Sequence, residues 1–273
     1  MKKDPEVPFG PLAGKLDDAG LNLCVPFSID DLAVSMPGMR LPAQTSDIQT
    51  VQAGDAQAGS AMSGRGRFRT ILLIGNAGKK LWQTMPAAYL QREHPVDEYS
   101  IDSVRRVLDQ FLPADGWQFL FPQVQPGMEI SLQELGRLAG WHNPSPLGIG
   151  INHQHGLWFA YRAVLASESE ITGYERLDPE FSESPCLSCD AKPCLTRCQA
   201  QALGSGSHPD LSACVSYRVQ PASDCASTCL ARTGCPVAPQ FQYSDDQIAY
   251  FYDRSLESVK PVSYTHLTLP TKA

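Results

Sequence analysis

Eight of the nine cysteines in this 273-residue chain lie close together in the sequence, and their spacing suits metal binding. The first four follow the pattern C-x2-C-x4-C-x3-C, and a proline follows the last of the second four. A [4Fe-4S] cluster takes four thiolate ligands, and bacterial two-cluster ferredoxins provide them in C-x2-C-x2-C-x3-C-P runs. Two groups of four cysteines therefore indicate two [4Fe-4S] clusters. The candidate ligands are Cys186, Cys189, Cys194, Cys198, Cys214, Cys225, Cys229 and Cys235.

The ferredoxin pattern also predicts how the ligands divide, because the fourth cysteine of each run binds the other cluster. The first cluster would take Cys186, Cys189, Cys194 and Cys235. The second would take Cys198, Cys214, Cys225 and Cys229. The x4 gap, the C-x3-C-x5-C spacing of the second group and Gln199 in place of the usual proline are departures from the standard run. They leave the division of the ligands more open than the ligand set.

Zinc and disulfides are the alternatives for these cysteines. Zinc sites with four cysteines usually combine two separated C-x2-4-C pairs, a pattern that Cys186/Cys189 and Cys225/Cys229 fit. Disulfides need an oxidising compartment, and the N-terminal Met-Lys-Lys is not followed by the apolar segment of a secretory signal. We therefore expect iron-sulfur clusters in a reducing cytoplasm.

Composition restricts the partners. With 42% hydrophobic residues and a net charge of −7, the chain has the composition of a soluble globular protein with a real core. Apolar runs such as Ile71–Ile74 have the length of a strand, far below the roughly 18 residues of a membrane-spanning helix. The acidic balance and the lack of a Lys/Arg stripe argue against nucleic acid. We expect neither a membrane nor a nucleic-acid partner.

Several elements can be predicted before residue 140. A buried strand should run from Arg69 to Asn76 and end at a glycine turn, Gly75–Gly78. Asp97 could cap an amphipathic helix whose apolar face points to the core. The capping box Ser131–Glu134 should open a short helix.

The second half of the chain has fewer clear elements. Leu147–Ile151 and Trp158–Leu165 are apolar runs of strand length. His153 and His155 lie between them, two residues apart on a predicted turn, so their side chains would point the same way and could grip a metal or a flat cofactor. A capping box that begins at Ser244 predicts a final amphipathic helix.

Five segments, in the same order along the chain, resemble stretches of CblC, the cobalamin-processing protein with a nitroreductase-like fold. They are Arg69–Gly78, His94–Asp97, Pro146–Ile151, Gly156–Arg162 and Tyr243–Phe251. The cysteine segment resembles the ferredoxin-like domain of epoxyqueuosine reductase. No equivalent of that enzyme's Gly-Trp-x-Gly-Lys segment or catalytic aspartate is present, so its reaction is not implied.

This resemblance implies an α+β fold with a CblC-like body at 1–180 and an inserted ferredoxin-like two-cluster domain at 181–240. From its apolar pattern, a C-terminal helix at 241–261 would pack on the body. The Gly, Ala, Ser and Gln content of residues 44–66 predicts a flexible loop. Residues 262–273 resemble the in-frame translation of a sequencing adapter, and we expect them to carry no function.

The resemblance also implies a cofactor pocket in the body. Asn152 stands where CblC has a histidine, with two histidines close behind it. A corrinoid is the favoured ligand, and a flavin is the second choice. The candidate pocket residues are Asn152, His153, His155, Trp158 and Arg162.

The predicted function is therefore that of an iron-sulfur oxidoreductase. Electrons would pass from a ferredoxin or flavodoxin type of donor through two clusters to a corrinoid or other small molecule in the body. Whether the chain is itself an enzyme stays open. One alternative is a ferredoxin-like carrier without its own catalytic site, and another is a zinc-stabilised binding module.

Overall fold

The structure, a computed structural model, describes residues 6–41, 68–123, 128–175, 183–204 and 208–267, with side chains described up to Lys260. Within these ranges the protein contains helices together with parallel and antiparallel strand pairs, in agreement with the predicted α+β class. The predicted loop at 44–66 lies outside the described residues.

The chain divides into two compact units. We call the first, within Met1–Ala139 and Ala160–Leu177, the sheet unit, and the second, within Gly140–Phe159 and Asp178–Ala273, the cysteine unit. The sequence analysis set its boundary near residue 180 and assigned residues 140–159 to the body. The structure groups these residues, and the final helix, with the cysteines.

Four strands form the central sheet in the order β2-β3-β5-β4, and two short strands pair in parallel. The pairs β2–β3 and β4–β5 are antiparallel. All eight residues of β3 are buried, as expected for a central strand rich in β-branched and leucine side chains. The strands are β1 Glu6–Pro8, β2 Leu23–Ser28, β3 Thr70–Ala77, β4 Trp117–Phe121, β5 Phe159–Ser167 and β6 Glu170–Thr172.

The helices of the sheet unit cover its strands with apolar residues. Leu12 and Leu16 on the first helix, Leu81 on the third and Leu108 on the fourth are almost completely buried. The helices are α1 Phe9–Asp18, α2 Ile29–Ser35, α3 Lys80–Thr84, α4 Pro95–Leu108 and α5 Leu132–Leu138, with a 3-10 helix at Ala87–Gln91.

Two sequence predictions for this unit need correction. The strand runs one residue past its predicted end at Asn76, because the Asn22 side chain bonds to both backbone groups of Ala77 before Gly78 turns with φ +69°. The cap of α4 is His94 and not Asp97, because Pro95 occupies the first turn and needs no N–H partner. Ser131 caps α5 as predicted, by accepting a hydrogen bond from the Glu134 N–H.

The cysteine unit is built from short helices and irregular backbone. The predicted strand at Leu147–Ile151 is wrong, because Gly148 (φ +71°) and a hydrogen bond from Ser145 to the Ile149 carbonyl fold this run into a turn. The predicted final helix is present, and Ile248 packs with Trp158. The helices are α6 Pro193–Thr196, α7 Leu211–Arg218, α8 Leu230–Thr233 and α9 Asp245–Leu267, with a 3-10 helix at Pro239–Phe241.

The membrane prediction concerns the same helices. Across the described ranges, none of them combines the length and the apolar character that a membrane crossing requires.

Candidate metal centre

The first group of cysteines surrounds a cavity of about 520 Å³ in the cysteine unit. Lys192 takes a left-handed backbone conformation (φ 36°), and α6 begins at the following residue, Pro193. Cys194, the next residue, lines the cavity. The last of the four ligands follows the end of α8, far along the sequence from the others. The cysteines that line this cavity are Cys186, Cys189, Cys194 and Cys235.

The second group surrounds a smaller cavity of about 200 Å³ in the same unit. Cys214 lies on α7, and Cys229 is the N-cap residue of α8. The cysteines that line this cavity are Cys198, Cys214, Cys225 and Cys229. The two cavities thus divide the eight cysteines in the same way as the crossed ferredoxin pattern does.

Electrostatic interactions between the thiols follow the same division. Burial raises the pKa of Cys235, and negative charge on its three group members raises it further. Burial likewise raises the pKa of Cys214, and charge on Cys229, Cys198 and Cys225 adds to the increase. Four thiolates crowded around one cavity repel each other, so a cationic centre has to be present for all four to lose their protons.

The spread of the cysteines limits the kind of metal centre. Within the described ranges, no three His, Cys, Asp or Glu side chains lie close enough together to hold a single metal ion. A zinc ion would need its sulfur ligands at about 2.3 Å. In a [4Fe-4S] cluster each of the four thiolates binds a different iron.

Two arginines lie beside the second group, and the sequence analysis missed them. Arg218 is 8% exposed and donates from Nε to the Cys225 carbonyl at 3.2 Å and from Nη2 to the Tyr252 carbonyl at 2.8 Å. Burial raises the pKa of Cys214, and the positive charge of Arg218 offsets part of that rise.

The other arginine is Arg232, which also lines the second cavity. It donates from Nη2 to the Leu157 carbonyl at 2.7 Å, and its guanidinium carbon lies 4.5 Å from the centre of the Trp158 ring. The sequence carried a signal for both arginines, because Arg218 follows Cys214 by four residues and Arg232 follows Cys229 by three. Helical residues at these spacings share one face.

The predicted cofactor residues are divided between the two units. Asn152 donates to the Trp141 carbonyl at 2.9 Å and accepts from the His155 N–H at 2.7 Å, so both ends of its amide serve the turn. His153 is exposed. His155 is half-buried, with its ring edge-on to Phe241 at 4.7 Å, and burial lowers its pKa from 6.5 to about 4. The two histidines therefore have different environments.

The remaining two predicted residues have other partners. Trp158 is fully buried and packs against Tyr243, with ring centres 5.2 Å apart. Arg162 belongs to the sheet unit, where its Nε donates to Asn76 at 2.6 Å and its Nη1 lies 3.5 Å from Asp97. Asn76, Asp97 and Arg162 lie far apart in the sequence and meet at this cluster.

No protein-family model matches the chain, and neither does any curated protein. Among solved structures, it is similar to epoxyqueuosine reductase from Streptococcus thermophilus, with 13% identity and a TM-score of 0.40. The match covers 89% of this chain and 65% of that protein, so the chain spans less than two thirds of its length. The assignment of a function accordingly rests on the cysteines and their surroundings.

Proposed function

We propose that the cysteine unit holds two [4Fe-4S] clusters and that the protein transfers electrons through them. The observation that carries this proposal is the pair of cavities, each lined by four cysteines drawn from distant parts of the segment. Clusters of this type accept and release single electrons at potentials that the protein adjusts.

The backbone around the cysteines supports this role. Burial raises the pKa of Cys194, Cys225 and Cys235, and hydrogen bonding by the backbone N–H groups of Leu195, Leu230 and Val237, respectively, offsets part of that rise. Hydrogen bonds of this kind favour the thiolate, hold the ligand in place and help to set the potential of a bound cluster.

The metal content tests the proposal against the zinc alternative. Anaerobically purified protein should be brown, with a broad absorption band near about 400 nm that bleaches with dithionite, and it should contain about eight iron atoms per chain. Stoichiometric zinc without iron would contradict the proposal.

Cys24 provides a matched control for the metal analysis. It lies on β2 in the sheet unit, and burial raises the pKa of its thiol. Cys24→Ser should keep the full iron content, whereas Cys194→Ser should lose iron. Equal loss in both variants would point to general instability of the protein.

The electron acceptor is the finer part of the proposal. The CblC-like segments favour a corrinoid, or failing that a flavin, in the N-terminal body. The bonded amide of Asn152 and the buried ring of Trp158 favour instead a carrier that passes its electrons to a partner protein. A ferredoxin or flavodoxin type of donor would serve either role.

Titration with cobalamin separates the two roles. Reduced protein that binds a corrinoid should show a spectral change at cobalamin concentrations below about 100 μM. This limit is well above the micromolar dissociation constants of specific sites. Arg162→Gln tests the sheet unit, and exposed His153→Ala tests the histidine turn. No spectral change in any sample would favour the carrier.

A further inference from the structure

Arg232 is connected to the second group of cysteines through more than one contact. It lines the same cavity as these cysteines and follows the N-cap residue Cys229 by three positions on α8. Tyr252 lines the same cavity as Cys229 and Arg232, so the guanidinium, the phenol and one ligand sulfur border one space.

The protein holds the guanidinium of Arg232 from the side of the core. Its Nη2 donates a hydrogen bond to the Leu157 carbonyl. The guanidinium carbon lies 4.5 Å from the ring centre of Trp158 and 5.2 Å from that of Tyr243. Among the described residues, its buried Nε–H has no hydrogen-bond partner. Buried donors are nearly always paired. A sulfur atom of a cluster bound in the second cavity would be an acceptor for this N–H.

Arg218 adds a second positive charge at this cavity. It is 8% exposed and is fixed by bonds to the carbonyls of Cys225, Ala226 and Tyr252. Asp224 acts in the opposite direction, because its charge raises the pKa of Cys225. Among the described residues that line the second cavity, Arg218 and Arg232 carry positive charge and none is a carboxylate.

The first cavity has a different electrostatic environment. Its cationic lining residue is Lys192, which is exposed to solvent, and Glu183 lines the same cavity. Solvent screens an exposed charge much more than a buried one. The positive charge at the first cavity therefore has a weaker electrostatic effect than the positive charge at the second cavity.

We propose that Arg232 and Arg218 raise the reduction potential of the cluster bound by the second group of cysteines. When that cluster takes up one electron, from dithionite in a titration, it becomes one charge more negative. A fixed cation and an N–H donor stabilise the reduced form more than the oxidised form. This inference rests on the proposed function.

Redox titrations followed by electron paramagnetic resonance test the role of Arg232. Arg232→Gln should lower the equilibrium constant for reduction of one of the two clusters about tenfold, which is a 59 mV shift for a one-electron couple. Arg232→Lys, which keeps the charge, should recover part of the shift. The transition of the other cluster should stay in place.

Two further variants keep the test decisive. Tyr252→Phe removes only a hydroxyl and should lower the same constant about threefold, in the range of one weak hydrogen bond to sulfur, even if Arg232→Gln fails to fold. Arg254→Gln removes an exposed charge on α9 that lines neither cavity, and it should leave both transitions unchanged.

The iron content of the same samples separates the possible failures. If the wild-type protein contains no iron, the proposed function fails and the inference fails with it. If both clusters are present but neither Arg232→Gln nor Tyr252→Phe changes a potential, only the inference is overturned. Equal shifts in both transitions, or an equal effect of Arg254→Gln, would also overturn it.

Discussion

The sheet unit and the cysteine unit are stabilised in different ways. Every residue of β3 is buried, and Ile71 and Leu73 have no exposed surface. In the cysteine unit, α6 has four residues and none of them is buried, and the only buried residue of α7 is Arg218. Helices this short are unstable without tertiary support. The comparison indicates that apolar burial maintains the sheet unit, and the proposed function assigns the cross-linking of the short helices in the cysteine unit to bound clusters.

Removal of the metal should have the largest effect on this comparison. We expect a strong iron chelator under reducing conditions to speed amide exchange in α7 and α8 at least about hundredfold, because these helices lose the cross-links between them. The exchange of β3 should change little. Hydrogen exchange measured by mass spectrometry would detect both results, and equal loss of protection in β3 would contradict the comparison.

Single cysteine variants should affect the two groups separately. Cys235→Ala should disturb the cluster of the first group, whereas Cys198→Ala should disturb the cluster of the second, because each of these ligands lines the cavity of its distant group. Paramagnetic resonance spectra of the reduced variants would distinguish the two signals. The reverse pairing would refute the division of the ligands.

A core substitution in the sheet unit should leave the metal sites intact. Leu73→Ala creates a cavity in a fully buried central strand and should lower the free energy of unfolding by about 3 kcal/mol. The iron content per folded chain should not change. Val34 on α2 is 84% exposed, so Val34→Ala should cost less than about 0.5 kcal/mol in the same denaturation experiment.

The smallest expected effect concerns His155. Burial lowers its pKa from 6.5 to about 4, so the folded protein favours the neutral ring while the unfolded chain takes up a proton below pH 6.5. Stability should therefore fall as the pH decreases from 6.5 towards 4, by about 1 kcal/mol between pH 6.5 and 5. His155→Leu should remove this part of the pH dependence, and His153→Leu should keep it. An unchanged slope in His155→Leu would disprove the assignment.

Local patterns in the sequence predicted the elements that short-range physics determines. The apolar run of β3, the cap at Ser131 and the amphipathic α9 are examples. The remaining features of the fold depend on contacts between residues that are far apart in the sequence. The side chain of Asn22 extends β3 from 55 residues away, and no local pattern contains that bond.

The same distinction between local patterns and long-range packing applies to the candidate site. Cysteine spacing carries the ligand set because cluster chemistry restricts it. The position of Trp158 in the core, and the use of the Asn152 amide within its turn, depend on packing that residue types alone do not specify. Arg218 and Arg232 could have been found from their helical spacing to Cys214 and Cys229.

The most direct test of the central claim is a Mössbauer spectrum of protein enriched in ⁵⁷Fe, combined with iron quantitation on the same sample. We predict that essentially all of the iron occurs in [4Fe-4S] clusters, at about eight atoms per chain. Cys235→Ala and Cys198→Ala should each retain about four. A wild-type preparation with mononuclear iron, or with about four iron atoms in a single cluster, would contradict the account.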